Sequence, residues 1–153
     1  MDALVFCVLC LLVPLISAEP IRKFHYTCGS TDMIEIKGID VSPYPVTIGQ
    51  TTTVKIDAEA FEDVSIGEVL LYVTLNQKKL YGSTKSLCDQ PTDCSIPSGP
   101  FSFSITQTLP QLIPVLNGYE IEVYDVDGSK MVCFYFDVNV KVVDLPAVVE
   151  KLP

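Results

Sequence analysis

Of the six cysteines in this sequence, Cys7 and Cys10 lie in the apolar N-terminal segment. The spacing of the other four suggests which of them form disulfide bonds. Cys28 lies near the start of the first strand-like segment and Cys133 lies in the last one, whereas Cys88 and Cys94 are separated by five residues. The favoured pairing joins Cys28 to Cys133 and Cys88 to Cys94, although four cysteines allow three connectivities. One bridge would then close nearly the whole domain and the other would pin one loop, a framework typical of secreted domains.

A set of side chains suited to catalysis or metal binding is not evident. His25 is the only histidine, and no G-x-S-x-G sequence accompanies it, so Ser-His-Asp chemistry is disfavoured. Glu120 and Glu122 share one face of a strand, and an outward polar face explains them better than a glycosidase pair does. Asp125–Gly128 begins like a calcium loop, but the closing glutamate is absent and a turn is the better interpretation. We expect no enzyme activity, no metal and no cofactor.

The N-terminal segment predicts entry into the secretory pathway. Residues 3–16 are predominantly apolar, and residues 17–18 are small, as at a signal-peptide cleavage site. The apolar run is too short to span a membrane. We therefore expect a signal peptide over residues 1–18, followed by a single domain over residues 19–153, in a compartment where disulfides persist.

The charge of the chain restricts its partners. The formal net charge is −9 with a pI of about 4.4, and removal of Asp2 with the signal peptide leaves −8. Such a charge repels nucleic acid phosphates and anionic membrane surfaces. We expect a monomer that does not bind nucleic acid.

Alternation of apolar and polar residues predicts most of the strands. Thr53–Glu59, Phe101–Ile105 and Tyr119–Val123 alternate with a period of two, and Phe134–Val142 places its even-numbered residues on one face. Val69–Leu75 is almost continuously apolar, as expected of a strand that is buried on both faces or lines a cavity. About seven strands in two sheets predict an all-β, immunoglobulin-like β-sandwich.

Turns and irregularities complete the predicted sandwich. Asp127–Gly128 lies between two alternating segments and predicts a hairpin. The alternation of Met33–Val41 slips at Gly38, which predicts a β-bulge. The chain has no tryptophan, and Cys28 and Cys133 are not placed like a central bridge between sheets, so the sandwich departs from antibody domains.

The order and spacing of several short motifs resemble the ML lipid-recognition family. That family includes lysosomal sterol carriers, fungal phosphatidylglycerol/phosphatidylinositol transfer proteins and group 2 mite allergens. The resemblance covers nearly all of residues 20–143 and rests on motifs that are, in chain order, Cys28-Gly29-Ser30, Ile39-Asp40-Val41-Ser42-Pro43, Gly49-Gln50, Cys88-x5-Cys94 with Ile96-Pro97 behind it, Leu109-Pro110, Gly118-Tyr119 and Cys133.

The resemblance also indicates a branch of the family. Its sterol carriers have a further disulfide in the segment that matches Pro43–Ile48, where this chain has Tyr44 and no cysteine. The chain is therefore more similar to the phospholipid-transfer and plant-type members. The family spacing implies the same Cys28–Cys133 and Cys88–Cys94 pairing.

The resemblance implies that a lipid lies between the two sheets, where ordinary sandwiches interdigitate their side chains. Each CH₂ group removed from water contributes about 0.8 kcal/mol, so the pocket should be aliphatic and aromatic. Any filled sandwich core would have a similar composition. The inward residues expected to line the lipid are Val54, Ile56, Val69, Leu71, Val73, Phe103, Ile105, Ile121, Val123, Phe136 and Val138.

Correspondence with the sterol carriers implies where the pocket opens. Leu80 and Tyr81 would lie on one side of the mouth, and Leu109–Leu116, which includes Pro110 and Ile113, on the other. The stretch Leu112–Leu116 is apolar and proline-rich, so we expect it to touch the bilayer together with Leu80 and Tyr81.

We therefore expect a secreted protein, or one of the endolysosomal or vacuolar lumen, that binds and transfers lipid. It would hold a sterol or a phospholipid acyl chain and contact membranes transiently. The alternatives are an extracellular lipid-sensing recognition module or co-receptor without transfer activity, and a structural secreted protein that binds no lipid. Acid should speed transfer to anionic vesicles, because protonated carboxylates lower the negative charge.

Overall fold

The computed structural model describes residues 18–28, 32–88, 94–110 and 116–141, and every regular element in these ranges is a strand. Seven strands have eight residues or more, and five have two or three. In these ranges no helix has the length and apolar character needed to cross a membrane. The strands are β1 (Glu19–Ile21), β2 (Phe24–Tyr26), β3 (Ile34–Ser42), β4 (Val46–Thr47), β5 (Thr51–Ala60), β6 (Val64–Leu75), β7 (Lys78–Ser86), β8 (Ser95–Ile96), β9 (Gly99–Thr108), β10 (Gly118–Asp125), β11 (Lys130–Asp137) and β12 (Val140–Lys141).

Two antiparallel sheets form the sandwich. The first sheet has the strand order β1-β3-β5-β9, and the second has the order β2-β11-β10-β6-β7, with β8 paired to the start of β6. The short strands β4 and β12 form a separate parallel pair. Buried side chains from both sheets make one continuous core. The predicted immunoglobulin-like sandwich is confirmed, and its seven long strands match the expected number.

Strand β5 illustrates how the alternating sequence produces a buried face. Val54, Ile56 and Ala58 are buried, while the residues between them are exposed or half-buried. Strand β6 follows the same rule despite its apolar sequence, because Val69 and Leu71 are buried and Leu70 is half-buried on the opposite face. The strand is therefore buried on its inner face and only half-buried at Leu70 and Tyr72 on its outer face.

The predicted irregularities lie where the sequence placed them. The register between β3 and β5 shifts between Ile36 and Gly38, which confirms the bulge. Strands β10 and β11 form an antiparallel hairpin whose turn contains Gly128 at a φ of 85°. A positive φ suits glycine because it has no Cβ. Both features strengthen the local twist that a sandwich requires.

Strand β7 was not predicted from the sequence. Its residues are mostly polar and nearly all are exposed, because it is an edge strand with solvent on much of its surface. It pairs with β6 through a two-residue turn in which Asn76 and Gln77 both have positive φ, at 50° and 64°. Asparagine tolerates this conformation well, whereas glutamine gave no signal of a turn.

The predicted strand Phe134–Val142 is wrong at its end. Strand β11 stops at Asp137, and Val138 instead donates its backbone N–H to the carbonyl of Asn117. The chain then changes direction and forms β12, which pairs with β4; Val142 lies outside the described residues. Phe134, Phe136 and Val138 are nevertheless buried as predicted.

Two disulfides join the cysteines in the favoured pairing. Cys28, just after β2, is bonded to Cys133 in β11, and their Cα atoms are 5.5 Å apart. Cys88, just after β7, is bonded to Cys94, with a Cα separation of 5.1 Å. Neither bridge joins one sheet to the other, because β2, β11, β7 and the neighbouring β8 all belong to the second sheet. Residues 1–17, most of the expected signal peptide, lie outside the described residues.

The two disulfides should differ in their effect on stability. The Cys28→Ala/Cys133→Ala variant removes a bridge between residues 105 apart in sequence. In the chain-entropy estimate, this change lowers the free energy of unfolding by about 5 kcal/mol. The Cys88→Ala/Cys94→Ala variant opens a loop of only six residues and should cost about 2 kcal/mol. Urea unfolding measures both, and equal losses would contradict the estimate.

Candidate functional site

The inner face of the second sheet consists of aligned apolar rows. Each row crosses β6, β10 and β11, so that three side chains from neighbouring strands stand side by side. The rows are Val73–Tyr119–Phe136, Leu71–Ile121–Phe134 and Val69–Val123–Val132. All nine side chains are buried. The inner surface of this sheet is therefore a continuous apolar wall.

The inner face of the first sheet lies opposite that wall. Val54 pairs with Ile105 and Ile56 pairs with Phe103 across β5 and β9, and all four are buried. The eleven residues predicted to face inward all belong to the core that the two sheets share, namely Val54, Ile56, Val69, Leu71, Val73, Phe103, Ile105, Ile121, Val123, Phe136 and Val138. Their contact with a lipid remains a prediction.

The predicted apolar side of the mouth is only partly described. Leu109 is buried and Pro110 is half-buried, whereas residues 111–115, including Ile113, lie outside the described residues. Leu116 is 3% exposed and belongs to the core. Leu116 therefore does not present an exposed surface to a bilayer, because it packs inward immediately before β10.

The other side of the predicted mouth lies on β7. Leu80 and Tyr81 are 45% and 43% exposed, and they are two of the six large apolar side chains that are exposed among the described residues. Tyr81 is paired with Val73, and further along the strand Ser83 is paired with Leu71. The inner rows of the second sheet therefore continue onto β7, where they reach the edge of the sandwich.

At this edge the two sheets are joined by side chains. The Ser83 hydroxyl donates to Oε1 of Gln107 on β9 at 3.4 Å, and the Lys85 ammonium donates to the backbone carbonyl of Ser104. Strands β7 and β9 are the last strands of different sheets and do not share a backbone ladder. A few side-chain hydrogen bonds separate more easily than a ladder does. This edge of the sandwich is therefore held by side-chain hydrogen bonds rather than by a backbone ladder.

Three polar side chains lie inside the apolar core near this edge. Thr52, Gln107 and Tyr119 are 1%, 3% and 0% exposed. Among the described residues, no partner satisfies Oγ1 of Thr52, Nε2 of Gln107 or the hydroxyl of Tyr119. Burial raises the pKa of Tyr119, and the nearby Thr52 hydroxyl offsets only part of that rise. The phenol is therefore neutral at physiological pH.

Sequence reasoning missed these three residues, although a signal exists. In β5 the side chains of Val54 and Ile56 face inward, and Thr52, two residues earlier, faces the same way. In β9 the side chains of Phe103 and Ile105 face inward, and Gln107, two residues later, also faces inward. A polar residue at an inward position of a strand is a candidate for a specific polar contact.

A second polar cluster lies on the outer face of the second sheet. Glu122 is 3% exposed and accepts hydrogen bonds from Lys79 at 2.6 Å, from Lys130 at 3.2 Å and from the Tyr124 hydroxyl at 2.7 Å. Burial alone would raise the pKa of Glu122, but these donors outweigh it and hold the pKa below its usual value. Glu120 shares this face. The two carboxylates face outward as predicted, and Glu122 has a structural role.

The other residues considered for catalysis or metal binding make contacts that belong to the fold. His25 is exposed on β2, and its ring centroid lies 5.1 Å from that of Tyr135. Asp125 and Asp127 form the hairpin turn, in which the carbonyl of Asp125 accepts from Gly128 N–H and the Asp127 carboxylate from Ser129 N–H. In the part of the chain that the structure describes, no group of three His, Cys, Asp or Glu side chains could hold a metal ion.

Comparison with known proteins gives consistent matches. The family model described as ML domain matches residues 24–140. A phosphatidylglycerol/phosphatidylinositol transfer protein of Cryptococcus neoformans var. neoformans is 31% identical over 118 residues, which cover 71% of this chain and 66% of that protein. The chain thus spans slightly less than two-thirds of that relative. A putative phosphatidylglycerol/phosphatidylinositol transfer protein 2 of Dictyostelium discoideum is 24% identical over 131 residues, which cover 82% of this chain and 91% of that protein.

A solved structure shares the fold. The Niemann-Pick type C2 protein from Japanese carpenter ant superimposes with a TM-score of 0.59 at 16% sequence identity. The superposition covers 78% of this chain and 99% of that chain. The two proteins therefore have the same sandwich architecture despite few identical residues.

The Glu122 cluster predicts a pH-dependent contribution to stability. Replacing Glu122 with Gln should lower the free energy of unfolding at pH 7 by about 1–3 kcal/mol, because Lys79, Lys130 and Tyr124 lose a buried, charged hydrogen-bond acceptor. The pKa of Glu122 in the folded protein lies below its ordinary value of 4.5. The extra stability of the parent over the glutamine variant is therefore present above pH 4.5 and is lost as the pH falls through the folded pKa. Urea unfolding at pH 7 and pH 3.5 measures the difference. Glu120→Gln, which alters the more exposed carboxylate, is the control, and an equal loss in both variants would contradict the assignment.

Proposed function

The chain belongs to the ML domain family, and on that premise we propose that it binds a lipid between its two sheets and transfers it between membranes. The match over residues 24–140 includes all seven long strands. Lipid binding would use the apolar inter-sheet surface and requires no catalytic group. We propose a secreted or lumenal protein in which residues 1–18 are a signal peptide and residues 19–153 are the lipid-binding domain.

The observation that carries this proposal is the pair of facing apolar walls beside a weakly closed edge. A chain of sixteen carbons moved from water to such a surface gains about 10 kcal/mol before the entropy costs of binding. Polar contacts are not needed for that affinity. An edge joined by the Ser83–Gln107 side-chain hydrogen bond and by the bond from Lys85 to the Ser104 carbonyl would admit a chain without breaking either sheet.

Strand β7 has the properties of a membrane-contacting edge. It carries the exposed Leu80 and Tyr81 together with Lys78 and Lys85, and it contains no acidic residue. Apolar side chains flanked by lysines suit the interface of an anionic bilayer, even on a protein with a negative net charge. We propose that this edge, rather than Leu116, contacts the membrane during transfer.

The proposed cargo is a phospholipid rather than a sterol. The curated relatives are named phosphatidylglycerol/phosphatidylinositol transfer proteins. The segment Pro43–Ile48 also lacks the additional cysteine of the sterol carriers. An endolysosomal or vacuolar lumen would suit the acidic pI of about 4.4, because the repulsion from anionic lipids weakens as that pH is approached.

Filling the inter-sheet space should displace the lipid. In the Val73→Phe variant, a larger side chain occupies a buried position on the inner face of β6, and overpacking costs about 1–3 kcal/mol of stability. We expect binding of fluorescent phosphatidylglycerol to fall at least tenfold. The matched control is Leu70→Phe, which adds similar volume on the outer face of the same strand.

A folded Val73→Phe protein that binds lipid as well as the parent would contradict an inter-sheet site. Circular dichroism and urea unfolding establish that both variants fold. Transfer between vesicles, compared with simple retention of the ligand, separates a carrier from a lipid-sensing module. Retention without transfer would favour the module.

Transfer should depend on pH and on the apolar residues of β7. We expect transfer to phosphatidylglycerol vesicles to be several-fold faster at pH 5 than at pH 7, because protonation of carboxylates lowers the negative charge. Transfer to neutral phosphatidylcholine vesicles should change little. Leu80→Asp/Tyr81→Asp should slow transfer to both vesicle types while retaining bound lipid. Equal rates at both pH values would refute the electrostatic argument, and unchanged transfer by the double variant would refute docking through β7.

A further inference from the structure

The buried polar cluster of Thr52, Gln107 and Tyr119 is not explained by folding alone. Polar groups in native interiors almost always have hydrogen-bond partners, because an unsatisfied buried donor or acceptor is costly. Each of these residues has one side-chain atom without a partner in the described structure. Three such atoms inside an otherwise apolar core indicate that something else satisfies them.

The three groups lie together and come from both sheets. Thr52 is paired directly with Gln107 across β5 and β9. The Tyr119 side chain extends from β10 of the opposite sheet, and its hydroxyl lies near that of Thr52. All three lie near strand ends on the same side of the sandwich, because β5 begins at Thr51, β9 ends at Thr108 and β10 begins at Gly118. The cluster therefore spans the inter-sheet space at one end.

The chemistry of the cluster favours a neutral hydrogen-bond acceptor. Oε1 of Gln107 accepts from Ser83, which orients the amide so that Nε2 remains as a donor. The Tyr119 phenol is neutral and offers its proton, and the Thr52 hydroxyl donates or accepts. Lys85, a cation on this edge, is exposed and bonded to the backbone carbonyl of Ser104. A buried phosphate would lack a counter-charge here, whereas a carbonyl oxygen would not need one.

We propose that Thr52, Gln107 and Tyr119 form a polar subsite that donates hydrogen bonds to the ester carbonyl oxygens of a diacyl glycerolipid. The acyl chains would continue from this point between the apolar walls, and the headgroup would lie toward the end of the sandwich. This inference rests on the proposed lipid-binding function. It identifies the cargo as an ester-linked lipid and distinguishes it from a hydrocarbon ligand that needs no polar contact.

The subsite can be removed without disturbing the fold. Thr52→Val and Tyr119→Phe delete hydroxyl groups that have no partner in the described structure, and both keep the shape of the side chain. The lipid-free protein should therefore remain equally stable or become more stable. Thr74→Val is the matched control, because Oγ1 of Thr74 is also buried and unpartnered in the described structure but lies on the outer face of β6.

The experiment compares two phosphatidylglycerols that differ only in their chain linkage. Dipalmitoyl phosphatidylglycerol and its dihexadecyl ether analogue compete with fluorescent phosphatidylglycerol for the full-length secreted protein. The parent and Thr74→Val should prefer the ester lipid by about tenfold, as expected for one or two neutral hydrogen bonds. Thr52→Val/Tyr119→Phe should lose most of this preference and keep its affinity for the ether lipid.

Equal affinity of the parent for ester and ether lipids would overturn the subsite while leaving the proposed lipid function intact. An ester preference that survives in Thr52→Val/Tyr119→Phe would also overturn it. Failure of the parent to bind either lipid would instead contradict the proposed function, and the subsite with it.

Discussion

Apolar contact between the two sheets is the interaction that holds this domain together, because the ladder hydrogen bonds run within each sheet and not between them. The buried side chains of β5, β6, β9, β10 and β11 form one core. Their contact provides the hydrophobic stabilisation of the fold, and the same surface would receive a lipid. A lipid bound there would compete with the contacts that keep the sheets together, and its entry would require their local separation.

The cross-links of the domain are compatible with such separation. The Cys28–Cys133 bridge ties β2 to β11, and the Cys88–Cys94 bridge closes the segment between β7 and β8, so both stabilise the second sheet. At the edge formed by β7 and β9, the hydrogen bonds of Ser83 and Lys85 are side-chain contacts that can open individually. Both disulfides therefore lie within the second sheet and leave the contact between the two sheets to side chains.

The predictable parts of the structure are those in which one local rule dominates. Alternation in Thr53–Glu59 and Phe101–Ile105 gave correct inward faces, because a half-buried strand must alternate. The edge strand β7 was missed because its mostly exposed residues do not alternate between apolar and polar. The end of β11 was misjudged because Val138 bonds to Asn117, a partner distant in sequence. The cluster of Thr52, Gln107 and Tyr119 could not be predicted from the pattern of any one strand, because its members come from two sheets that face each other.

A photoactivatable phospholipid tests most directly whether the lipid lies between the two sheets. A phosphatidylglycerol with a diazirine in its acyl chain would be bound, irradiated and mapped by peptide mass spectrometry. The account predicts adducts on inner-face residues such as Val54, Leu71 and Ile121. Adducts confined to outer-face residues of the same strands, such as Leu70 and Tyr72, would contradict it.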